Sequence, residues 1–159
     1  MHIPDGFIDI PTSAAFAAIA AGAVALSLKG AKSSLDDKTA PLAGLTATFI
    51  FAVQMLNFPV AAGTSGHLLG AALATVLVGP YAATLAITIV LLLQALLFAD
   101  GGLSALGLSV FNMSIVAVWV SYAVFLLVKK ILPKTKSSVT AAAGVAAVNE
   151  RLRILPRPR

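Results

Sequence analysis

The sequence predicts an all-α protein: a polytopic bundle of five to six membrane-spanning helices with its N-terminus outside. Three observations carry that prediction. First, 59% of the 159 residues are hydrophobic and only 11% are charged, with a mean hydropathy of +0.98. Soluble domains are nearer ~45–50% apolar and ~25% charged. Second, the charged residues gather in short segments between long uncharged stretches. Third, Lys residues occupy only alternate segments. With no Cys, neither a disulfide nor a thiolate metal site is available. The net charge of +5 does not indicate nucleic acid, because topology explains where the basic residues lie.

The chain opens "MHIPDGFIDIP". This segment has no Lys or Arg, so a cleaved leader is not expected. Ile10 to Leu28 supplies 19 uncharged residues, enough for one span of ~20. A polar loop, 29–40, follows with Lys29, Lys32 and Lys38. The stretch from Thr39 to Ala99 holds 61 residues without a charge, too many for one or two helices. "NFPVAAGTSGH" (57–67) and "GP" (79–80) divide it, since Gly and Pro end or reset helices. The expected helices are 41–57, 66–78 and 81–98. The second is short for a bilayer, and short, Gly/Pro-interrupted spans often flank binding sites in transporters. Asp100, Gly101 and Gly102 open the next loop, and a helix is expected over 108–131.

The positive-inside rule orients these elements. Loop 29–40 and loop 129–136, with Lys129, Lys130, Lys134 and Lys136, belong in the cytoplasm. Alternation then puts the N-terminus, the 58–66 break and the Asp100 loop at the outer face. His2 and His67, the only two histidines, share that face with Asp5, Asp9 and Asp100. The end of the chain breaks the pattern. "ERLRILPRPR" would carry Arg151, Arg153, Arg157 and Arg159 outward. The expected organisation is therefore a transmembrane substrate-binding domain at 1–148 and an atypical basic tail at 149–159, read as a truncated or altered terminus. Gly66, Gly70 and Ala74, and separately Ala18 and Gly22, have the four-residue spacing of close helix packing.

A free amine at Met1 followed by His2 offers three nitrogens in sequence. The Met1 amine and the His2 amide nitrogen close a five-membered ring on a metal; the amide nitrogen and His2 Nδ1 close a six-membered one. One in-plane position remains, and His67 is the other imidazole in the chain. Four nitrogens in a plane suit Ni(II) or Cu(II), and Co(II) is compatible with the same donors. Thr64 and Ser65, in "GTSGH", are candidates to support the metal ligands from outside or to cap the following helix. Asp5 and Asp100 are candidates to orient the ligands from outside or, with Asp9, to draw cations to the mouth. Gln54, Asn57, Gln94 and Asn112 are polar groups within apolar stretches, suited to inter-helix bonds or a lined cavity. HExxH, GxxxxGK[ST] and GxSxG are all absent, so no enzyme or nucleotide site is expected. With no charge inside the spans before residue 137, a proton relay is not expected either.

"MHIPDGFI", "FPVAAGTSGHLLG" and "LLLQALLFADGGLSALGLSVFNM" together resemble the substrate-binding membrane component (CbiM/NikM type) of energy-coupling-factor cobalt/nickel importers. The three blocks occur in order, and the similarity runs to about residue 148. The resemblance implies that Met1, His2 and His67 are the metal ligands. The bound Co(II) or Ni(II) would be transported substrate, with no resident cofactor. It further implies a multi-pass protein of the cell membrane (plasma or inner), with three kinds of partner: a transmembrane coupling protein, a pair of cytoplasmic ATPases and a small accessory membrane subunit. Uptake would be ATP-driven, the cobalt serving cobalamin biosynthesis or the nickel serving enzymes. Two alternatives stand beside it. One is an accessory or non-functional membrane fragment without a metal site. The other is a vitamin-binding subunit of the same importer class, for which Tyr81, Trp119 and Tyr122 are the available aromatic groups.

Overall fold

The computed structural model describes residues 3–56, 58–61 and 64–131, with side chains left out of the description for 58–65. Asn57 and the 149–159 tail lie outside the described residues. Within them the chain is helical apart from one short hairpin. Helix α1 (Ile10–Ser34) starts where Asp9 accepts a hydrogen bond from the Thr12 backbone N–H at 3.1 Å, with Pro11 in the first turn. It runs past the expected end, so Lys29 and Lys32 sit in its last turns, where the helix dipole favours cations. Helix α2 (Thr39–Gln54) follows a turn in which Asp36 accepts from Thr39 N at 2.7 Å and Lys38 N at 3.0 Å.

Strands β1 (Phe58–Ala61) and β2 (Thr64–Gly66) pair antiparallel. This hairpin corrects two expectations. Thr64 and Ser65 lie in a strand and do not cap a helix; the next helix, α3 (Ala71–Leu97), has Gly70 at its N-cap, at φ +74°. The helix expected from residue 66 therefore begins five residues later, and Gly66 is not on a helix with Gly70. Gly70 does make a close approach: a Cβ there would lie 2.8 Å from the Ile50 side chain of α2. Gly22 has nothing within 4 Å of its Cβ position, and a tight contact on α1 is instead Ala17 against Gly107, at 2.5 Å from a Cβ on that glycine.

Helix α3 breaks at Gly79 (φ +80°, ψ 166°), immediately before Pro80, as the "GP" pair predicts. The break is a fold-back. A continuous helix at ~1.5 Å per residue would put Ala71 and Gln94 about 35 Å apart. Yet Gly70 abuts Ile50 and Gln94 Nε2 donates to Met55 Sδ at 3.9 Å, so both arms meet the last turns of α2. Beyond the bend, Tyr81 packs on Gly30 near the far end of α1.

Helix α4 (Leu106–Val110), a π-helical segment (Phe111–Val116) and helix α5 (Ala117–Ile131) form one continuous rod. The π segment places Ser114 fully inside, where its hydroxyl donates to Thr84 O at 2.7 Å and pairs with Thr88 at 2.8 Å. Such single-turn π insertions re-aim side chains. Ile50, Ile87, Val90, Leu91 and Val118 form the buried core around α3. Outside it, Ile10, Leu26, Leu45 and Leu97 are at least 66% exposed. An apolar outer surface of this extent suits lipid and not water. Among the described residues, three stretches can cross a membrane by length and composition: Ile10–Ser34, Ala71–Leu97 and Leu106–Ile131. The bend at Gly79 divides the second. Its first arm, 71–78, is about 12 Å long at ~1.5 Å per residue, well short of a ~30 Å hydrocarbon core.

Candidate metal site at one end of the bundle

Met1 and His2 lie outside the described residues. The chain immediately after them is anchored. Ile3 O accepts from Gly102 N at 2.9 Å. Asp5 Oδ1 accepts from Ser104 N at 2.8 Å and from Ser104 Oγ at 2.6 Å. The Ser104 hydroxyl, then its amide, hold the Asp5 carboxyl below its ordinary value of 3.8. Asp5 is thus committed to a loop on the other side of the sequence. Asp9, expected at the mouth with it, is the cap of α1, and its carboxyl is lowered by the bonds from Thr12.

The loop that receives Ile3 and Asp5 is itself tied to the core. Asp100 N donates to Gln94 O at 3.0 Å. Asp100 is half-buried and lines a small cavity with Leu91, Ala95 and Ser109. Gln94 reaches Met55, and the neighbouring Gln54 donates from Nε2 to Leu69 O at 2.7 Å. Leu69 is two residues beyond His67. An unbroken series of contacts therefore links Ile3 and Asp5, through the 100–104 loop, Gln94 and Gln54, to the His67 segment. Residues 3–5 and the chain beyond His67 therefore meet at one end of the bundle.

His67 follows β2 in irregular, partly exposed chain. Its Nδ1 lies 3.1 Å from Leu68 O. A carbonyl only accepts, so Nδ1 carries the proton and Nε2 holds the lone pair in the neutral ring. A backbone carbonyl on the distal nitrogen is the usual way to fix a ligating imidazole. Gln54 and Gln94 are 1% and 0% exposed, and their Oε1 atoms have no hydrogen-bond partner among the described residues. Buried acceptors of this kind are uncommon and point to a missing donor. Among the described residues, no three His, Cys, Asp or Glu side chains come together.

The sequence pointed to His67, Asp5 and Asp100, and to Gln94 as an inter-helix partner, which it is for Met55, but missed Gly102 and Ser104. Gly102 is required because a Cβ there would lie 2.4 Å from Asp5 N. The "DGGLS" stretch carries the only hint, a Gly pair after an acid. Asn112, grouped with the glutamines by sequence, is exposed.

A model of the CbiM family, described as the cobalt uptake substrate-specific transmembrane region, matches residues 2–150. The chain belongs to the CbiM family. It is 39% identical over 127 residues to the fused nickel transport protein NikMN of Rhodobacter capsulatus, covering 80% of this chain and 37% of that one. It is 35% identical over 132 residues to the cobalt transport protein CbiM of Kyrpidia tusciae, covering 82% and 53%. A relative from Haloquadratum walsbyi shares 43% of 148 residues, 93% of this chain and 66% of its own length. The crystal structure of a truncated transition metal transporter superposes with a TM-score of 0.76 at 35% identity, covering 92% of this chain and 69% of that one. The chain thus spans between about a third and two thirds of the curated relatives it matches. CbiM chains are membrane-embedded cobalt/nickel transport proteins, in keeping with the apolar exterior described above.

Proposed function

We propose that this chain captures Ni(II) or Co(II) at the outer face of the cell membrane, as the substrate-specificity subunit of an ATP-driven importer. The ligands are the Met1 amine, the His2 amide nitrogen and Nδ1, and His67 Nε2, four nitrogens in a plane. The metal is cargo, and ATP hydrolysis belongs to partners: two cytoplasmic ATPases acting through a transmembrane coupling protein, with a small accessory membrane subunit. In this reading five helical segments make up the multi-pass fold: α1, α2, the two arms of α3, and the α4–α5 rod. The first arm of α3 is the short pass beside the site.

The observation that carries this reading is the contact series from Ile3 through Gly102, Gln94 and Gln54 to Leu69. It brings the residue after His2 and the residues after His67 into one frame. Two further features support it. The Leu68 carbonyl 3.1 Å from His67 Nδ1 suits the tautomer with its lone pair on Nε2. The orphan oxygens of Gln54 and Gln94 suit the N–H donors that a bound amine chelate brings.

The test is Ni(II) and Co(II) binding to the purified chain with its native start, and to a chain with residues added before Met1. The extension is expected to remove the amine ring and weaken binding by more than the roughly 10–100-fold typical of losing a ligand's supporting partner. His67→Ala is expected to leave a weaker three-nitrogen site. An extended chain that binds as tightly as the native one sinks the chelate; an unaltered affinity in His67→Ala sinks the paired-imidazole geometry.

A further inference from the structure

Residues 3–6 form a strap laid across the 100–104 loop, nearly a hundred residues away in sequence. Three hydrogen bonds fasten it: Gly102 N to Ile3 O at 2.9 Å, and Ser104 N and Oγ to Asp5 Oδ1 at 2.8 and 2.6 Å. The fit is also steric. A Cβ on Gly102 would stand 2.4 Å from Asp5 N and 2.7 Å from Pro4 C, both backbone atoms that cannot yield. Glycines at positive φ turn the chain on each side, Gly6 at +85° and Gly101 at +110°. The receiving loop is braced from behind by Asp100 N on Gln94 O and by Ala105 N on Gly102 O.

A chain terminus is ordinarily poorly ordered unless tied down. A chelate built from one pays the entropy of ordering it whenever metal binds, unless the ordering is done beforehand. We propose that Asp5, Gly102 and Ser104 form a latch that pre-positions the N-terminal chelate beside His67. They are positioning residues and touch no metal. The proposal rests on the capture reading above and adds the residues that set its affinity. It differs from a role for Asp5 in attracting cations, because attraction needs the carboxylate charge while a latch needs only an acceptor oxygen.

The experiment uses the full chain in detergent with nickel(II) chloride as probe, comparing Asp5→Ala, Ser104→Ala, Gly102→Ala, the Asp5→Ala/Ser104→Ala double variant and Asp5→Asn. Each single loss is expected to weaken Ni(II) binding about 10–100-fold, the range for outer partners of metal ligands. The double variant should be no weaker than the worse single, since both remove one network. Asp5→Asn, which keeps the acceptor, should bind within a few-fold of wild type. At saturating metal the visible absorption of bound Ni(II) should be unchanged, because the ligands are unchanged. Hydrogen exchange at the Gly102 and Ser104 amides should quicken in Asp5→Ala, which reads the latch without metal and without relying on Gly102→Ala to fold. Wild-type affinity in Asp5→Ala and Ser104→Ala, an altered absorption band, or Asp5→Asn as weak as Asp5→Ala would each overturn the latch alone. A wild-type chain that binds neither Ni(II) nor Co(II), or an N-terminally extended chain that binds as tightly, overturns the capture reading and the latch with it.

Discussion

At the end of the bundle that carries Asp5, His67 and Asp100, segments are held by polar contacts to backbone: a carboxylate on Ser104, a carboxamide on Leu69 O, an amide on Gln94 O. At the end where α3 folds back, contact is aromatic. Tyr81 packs on Trp119 with ring centroids 5.2 Å apart, Trp119 on Tyr122 at 6.3 Å, and Tyr81 lies over Gly30. The three rings that a vitamin pocket would need pack on one another. Edge-to-face ring pairs bury a large apolar area and make a stable pivot. Hydrogen bonds to backbone fix position and direction, as a chelate with several donors from separate segments requires. One end is built to hold the fold and the other to hold a geometry.

Gly70→Ala is the most disruptive way to break that contrast. The residue sits at φ +74°, and its Cβ would meet Ile50 at 2.8 Å. Left-handed backbone costs an L-residue about 1–2 kcal/mol, and overpacking about 1–3 kcal/mol more. Gly70 also joins Leu69, which Gln54 holds, to α3. Stability and Ni(II) affinity should therefore fall together, read as a lower thermal midpoint and a weaker binding isotherm. A variant that loses stability but keeps its affinity would show that the His67 segment does not depend on its anchor.

Gly79→Ala should instead separate the two properties. Its φ and ψ of +80° and 166° belong to a region essentially reserved for glycine, and no neighbour lies within 4 Å of its Cβ position. The penalty is then backbone strain alone, about 1–3 kcal/mol. It falls at the fold-back, away from the site. The expected outcome is a lower thermal midpoint with Ni(II) affinity unchanged in the folded protein. A parallel loss of affinity would mean that the pivot transmits its geometry to the site.

How much of this could be read from sequence follows the same division. The pivot was legible, because Gly-Pro within an apolar run has a local consequence for the backbone, and the structure breaks α3 there. The hairpin was not. "FPVAAGTSG" shows no two-residue alternation, and its Gly and Thr suit a helix cap as well as a turn. The Asp5–Ser104 bond was also illegible. It joins residues 99 apart on two loops, and neither helical nor strand periodicity connects them. The π segment was likewise hidden, since Phe111–Val116 has an ordinary helical composition. Elements with a repeating pattern announce themselves; contacts between irregular segments are set by the whole fold.

The smallest effect expected is that of pH on the latch, and it sharpens the comparison within the site itself. Bonds from Ser104 hold the Asp5 carboxyl below its ordinary 3.8. The folded chain therefore takes up that proton less readily than the unfolded chain. Its contribution is complete above the ordinary value and disappears only as pH falls through the lower, folded one. Between pH 8 and 5 the latch does not titrate. The proposed amine ligand does, since an α-amine has a reference pKa of ~7.7–8.0 and metal binding requires it unprotonated. Ni(II) affinity should therefore fall steeply over this range in wild type and in Asp5→Asn, with the ratio between them constant. A ratio that shrinks as the pH drops would mean that the carboxylate charge, rather than its oxygen, is what Asp5 contributes. A constant ratio leaves a site that is acid-labile where it grips the metal and acid-resistant where it holds the strap.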